Sequence, residues 1–123
     1  MSGAFLMPKY KGVDCVELVN INKEIYDATQ RLSEGSKKLF KYANRKAKAE
    51  KAYTREFALE IMKLKIEGLA ITLIRDIAKG NISDKKFDMD LADAEWTAAR
   101  SSLDAIQTQI SGLQTIYKHQ TEI

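Results

Sequence analysis

One cysteine, one proline and one histidine occur among 123 residues. Each scarcity excludes something. Cys15 alone supports neither a disulfide framework nor a thiolate metal site, and a reducing cytoplasm is the default compartment for such a chain; it reads as an incidental small residue. With one proline and six glycines there is little to interrupt a helix, so long helices are expected. His119 is the sole histidine, and it is not read as one of a catalytic pair. Ser101 and Ser102 likewise lack a base. Gly68 and Gly80 are separated by a helical rather than a loop-like segment, so no phosphate loop is present. The longest apolar run, residues 68–74, is far short of a membrane span. No basic segment precedes a long apolar one at the N-terminus, so no secretory signal is read there. The expectation is a soluble protein of the cytoplasm, without catalytic residues, metal or cofactor.

What is present is amphipathic. Apolar residues make up 45% and charged residues 30%, ordinary values for one folded domain. Residues 1–14 mix Gly3, Pro8 and Gly12 with Phe5, Leu6, Met7 and Tyr10, and read as an irregular arm. The remainder, residues 15–123, reads as a single helical domain. Asp14 suits an N-cap, and Leu18, Ile25 and Leu32 recur at heptad spacing over a helix of about 15–34. Gly35 and Ser36 offer a stop and a restart, yet the frame Leu32, Ser36, Leu39, Ala43 continues across them. Both readings stay open.

A long helix follows over about 36–79. Its main stripe is Leu39, Tyr42, Ala49, Tyr53, Phe57, Ile61, Leu64, Gly68, Ile71 and Ala78. A second stripe, Leu59, Met62, Ile66, Leu69, Leu73 and Ile77, lies on another face. Gly80 and Asn81 suit a left-handed helix end, with Ser83 and Asp84 opening the next helix. That helix, about 83–120, carries Ala92, Trp96, Ala99, Leu103, Ile106, Ile110, Leu113 and Tyr117 in alternating steps of four and three, a coiled-coil seam. The fold class expected is all-α: a long antiparallel, coiled-coil-like helical hairpin with an N-terminal helix and arm. Counting back from the turn places Trp96 against Gly68, which would account for a mid-helix glycine.

A helix apolar on two faces needs partners on both. One neighbour helix covers one stripe, so Leu59, Met62, Ile66, Leu69, Leu73 and Ile77 are expected to form an oligomer interface. The chain is then its own partner, in a dimer or larger bundle.

The net charge of +3 is modest, but its distribution is uneven. Residues 37–55 hold Lys37, Lys38, Lys41, Arg45, Lys46, Lys48, Lys51 and Arg55 against Glu50 alone. Lys37, Lys38, Lys41, Arg45, Lys48, Lys51 and Arg55 are the candidates for contact with nucleic acid or an acidic partner, since a basic helical face suits sequence-independent backbone contact. Tyr42 and Tyr53 fall on the core stripe and are assigned to packing rather than to bases. Asp88, Asp90 and Asp93 do not converge on one point of a helix, so they are not read as a metal site.

Residues 67–80, Glu-Gly-Leu-Ala-Ile-Thr-Leu-Ile-Arg-Asp-Ile-Ala-Lys-Gly, resemble a segment of short helical proteins of tailed bacteriophages and prophages of Gram-positive bacteria. Asp90-Leu91-Ala92, Trp96 and the stretch from Ile110 to Tyr117 fit the same pattern. The resemblance covers about 39–117 and carries no catalytic residues. It implies a small protein encoded among early genes near replication and recombination functions, in the host bacterial cytoplasm. The expected function is non-enzymatic binding in phage DNA replication or recombination through the basic face. The alternative is a phage-encoded inhibitor of a host enzyme or defence protein; a virion component is less favoured.

Overall fold

The computed structural model describes residues 15–121, with side chains from Glu17 onward. The expected arm at 1–14, including the Asp14 cap, lies outside the described residues. Among those described there are three α-helices and no strand: α1 (Cys15–Ile66), α2 (Ile71–Asn81) and α3 (Ser83–Thr121). The fold is all-α. No described helix is long and apolar enough to cross a membrane.

The helix boundaries differ from those read off the sequence. α1 runs through Gly35 without a break, and the Ser36 hydroxyl donates back to the Leu32 carbonyl at 2.8 Å instead of capping a new helix. The long helix expected to end near residue 79 ends at Ile66. Gly68 takes φ +83°, the left-handed region that favours glycine. Its N–H bonds to the Lys65 carbonyl at 3.1 Å, and the Leu69 N–H reaches back to Leu64 at 3.3 Å. This pair of bonds is a Schellman termination, completed by the apolar contact of Leu69 with the cluster around Leu64. Gly80, expected to be the left-handed residue, stays within α2. Ile82 makes the next junction: its N–H donates to Ala78, and its carbonyl accepts from Lys85 and Lys86.

The chain divides into two compact units. One comprises α1 up to Lys37 and α3 from Ser101. Among its described residues Ala28 and Leu103 are buried. Arg31 donates to Gln109 at 3.2 Å, while Gly35 further along α1 meets Leu103 further back along α3. The two segments are therefore antiparallel. Ile25, Leu32, Ile106, Ile110, Leu113 and Tyr117 are half-buried, as a seam requires.

The other unit is Lys38–Arg100. Leu64, Ile74 and Ala78 form its core, with Phe57, Ile61, Leu69 and Ile77 packed on them. The Schellman turn makes this possible. It reverses the chain so that α2 lays Ile74 and Ala78 against the end of α1. Ile82 and Ala92 are also buried. Lys46 meets Asp93 at 3.6 Å, and Lys86 stands 5.9 Å from the Tyr53 ring, so α1 and α3 are antiparallel here too.

The expected Trp96–Gly68 contact is not formed. A Cβ built on Gly68 meets nothing within 4 Å. Trp96 instead has the cations of Lys46 and Arg100 at 5.6 Å and 5.4 Å from its ring. The close-packed glycine is Gly35, where an added Cβ would collide with Leu103 Cδ2.

Candidate nucleic-acid interface

The basic stretch is one continuous piece of α1, and its composition explains why. Ala43, Ala47, Ala49 and Ala52 alternate with lysine and arginine, all strong helix formers. A helix fixes the direction in which each such side chain leaves the backbone. Lys37 closes the first unit; Lys38, Lys41, Arg45, Lys48, Lys51 and Arg55 belong to the second. All seven are exposed. Among the described residues none of them lies in an ion pair.

Lys46 differs. It donates to Glu50 at 2.6 Å, lies 3.6 Å from Asp93, and its side chain is only 28% exposed. The hydrogen bond to Glu50 is the main reason its ammonium titrates above the ordinary lysine range. Lys46 is thus absorbed in holding α1 to α3, and it consumes the one acid of the stretch. Lys86 is raised in the same way by its bond to Asp90.

Two shallow clefts lie along the basic face. One, of about 210 Å³, is lined by Lys38, Lys41, Tyr42 and Arg45. The other, of about 240 Å³, is lined by Lys48, Lys51, Ala52, Arg55 and Glu56. The Arg45 guanidinium lies over the Tyr42 ring, 5.4 Å from its centre, within cation–π range. Tyr53 packs parallel to Phe57 at 5.9 Å, while Tyr42 is half-buried beside the first cleft. The two clefts carry the same spacing of cations, Lys-x-x-Lys-x-x-x-Arg, at 38–45 and again at 48–55. Net charge and clustering had not singled out this duplication, although it is present in the sequence.

The second expected site is split. Leu69 and Ile77 turn inward onto the core. Leu59, Met62, Ile66 and Leu73 stay exposed, Ile66 at 84%. Ile71, assigned by periodicity to the main stripe, is 81% exposed because the turn at Gly68 resets the helical phase. Phe40, which neither stripe contained, is 79% exposed on α1.

Of the three aspartates near the start of α3, Asp90 accepts from Lys86 and Asp93 pairs with Lys46. No group of three or more His, Cys, Asp or Glu gathers among the described residues. His119 lies in the last turn of α3. No protein-family model, curated protein or solved structure matches this chain.

Proposed function

We propose that this is a non-enzymatic helical binding protein that contacts a nucleic-acid backbone through the exposed face of α1. One observation carries the reading: within one stretch of helix, Lys46 pairs with Glu50 and Asp93, and among the described residues Lys38, Lys41, Arg45, Lys48, Lys51 and Arg55 lie in no ion pair. Cations outside any internal ion pair attract polyanions strongly, because no such pair must break first. The resemblance to phage and prophage proteins supports a role in phage DNA replication or recombination, within the host cytoplasm.

A second reading rests on a different surface. Phe40, Met62, Ile66 and Ile71 expose apolar area that water does not favour. We take a second copy of this chain as its occupant, since Leu59, Met62 and Ile66 retain the three-and-four spacing of a self-complementary helical seam. A phage-encoded inhibitor seated on a host enzyme or defence protein would use the same apolar side chains and leave the cations idle.

Fluorescence anisotropy with labelled single-stranded and duplex oligonucleotides, at two salt concentrations, tests the first reading. Binding that weakens steeply with salt is expected. Absence of binding at low salt overturns it, and a partner captured from host lysate after nuclease treatment would then favour the inhibitor.

A further inference from the structure

The duplicated spacing on α1 has a geometric meaning beyond total charge. Within each copy the three cations sit at i, i+3 and i+7, which brings them to one side of the helix as successive neighbours. In each, two ammonium groups and one guanidinium border one cleft. An arginine fork with flanking point charges is a natural setting for one phosphate group. A ten-residue offset moves the second cleft roughly 15 Å along the axis and about 80° around it, at ~1.5 Å and ~100° per residue. That is too far for one phosphate to touch both. On a nucleic-acid strand with a phosphate about every 3.4 Å of duplex axis, it corresponds to groups four or five nucleotides apart.

We infer that the 38–45 and 48–55 segments are two copies of one phosphate-binding unit, which hold two separate phosphates of the same nucleic-acid backbone. This rests on the nucleic-acid reading above and adds the stoichiometry and spacing of the contact. A repeated geometry suits a ligand whose charge also repeats, as the phosphates of a phosphodiester chain do. The copies are not equivalent. Tyr42 and Arg45 flank the first, whereas Glu56 borders the second and offsets part of its charge. The first is the stronger.

The experiment compares the unaltered chain with Lys38/Lys41/Arg45→Gln, with Lys48/Lys51/Arg55→Gln, and with both sets combined. A control, Lys63/Lys79/Lys85→Gln, removes the same charge from exposed positions outside the clefts. Glutamine keeps helix propensity close to that of lysine and arginine, and circular dichroism confirms that each variant is folded. Anisotropy is measured on a labelled duplex over a salt series. Each triple variant is expected to weaken binding about tenfold at low salt, and to lower the slope of log K against log salt by about 0.9, the increment for one phosphate. The combined variant loses both increments, and the control stays near the unaltered chain. If the control weakens binding as much as either triple variant, or one triple variant has no effect, the two-unit inference fails while the nucleic-acid reading stands. If the unaltered chain does not bind at low salt, that reading fails and the inference with it. Binding of a poly-glutamate peptide as tight as that of the duplex would also overturn it, and would indicate an acidic protein partner.

Discussion

Three glycines in this chain occupy three different physical situations, and substitution separates them. At Gly35 the obstacle is a side chain, Leu103, pressed where a Cβ would go. Gly35→Ala gains about 1 kcal/mol of helix propensity but overpacks a buried contact, typically at a cost of 1–3 kcal/mol. Net destabilisation on the order of 1 kcal/mol is expected in urea denaturation. Leu103→Val in the same chain should relieve part of it, so the two changes should couple in a double-mutant cycle. At Gly68 there is space but not conformational freedom: nothing lies within 4 Å, yet φ is +83°. Gly68→Ala should cost roughly 1–2 kcal/mol through left-handed strain, whereas Gly112→Ala, in open space within α3, should stabilise by about 0.5–1 kcal/mol. Equal effects at 68 and 112 in thermal melts would contradict the positive φ as the reason for glycine at 68.

At the scale of elements, the helical content and the α3 seam were legible in the sequence. Ala92, Trp96, Ala99, Leu103, Ile106, Ile110, Leu113 and Tyr117 are all buried or half-buried. Their strict alternation left little room for another face. The hinge was not legible, because Gly35 and Gly68 both sit within unbroken apolar periodicity. What separates them is tertiary: Leu103 packs on one, while Leu64 and Leu69 clamp the turn at the other. The local sign was an apolar residue four before the glycine and another directly after it. Reading 36–79 as one helix carried the phase past the turn, so Ile71 was assigned inward and Ile77 outward, the reverse of what is found. The positions of the cations were legible from sequence. The removal of Lys46 from the basic face was not, because Asp93 and Trp96 meet it from far along the chain.

At the scale of the molecule, the buried apolar set among the described residues is small: Ala28, Leu64, Ile74, Ala78, Ile82, Ala92 and Leu103, with no large side chain among them fully enclosed. Helices packed this thinly expose much of their apolar area, and Leu59, Met62, Ile66 and Leu73 make up part of it. Association of two copies would remove that area from water, at roughly 25 cal/mol for each Å². Sedimentation equilibrium over a range of concentrations should therefore report a dimer or larger species. Met62→Glu with Ile66→Glu should shift it to monomer without loss of helicity, because both residues point outward. A monomer at every concentration would remove the second copy as the occupant.

The turn at Gly68 also determines where isotopic labelling should enter first away from the chain ends. The amides of Glu67, Gly68 and Leu69 are tied to carbonyls of α1, but no backbone carbonyl accepts from Ala70, Ile71 or Thr72 among the described residues. All three residues are exposed. In deuterated solvent these amides exchange without any opening of structure, leaving an early-labelled gap between two protected helices. Ile66, just before the turn, and Ile71, within the gap, are both exposed, so the labelling rate at 70–72 reports on whether anything covers this turn.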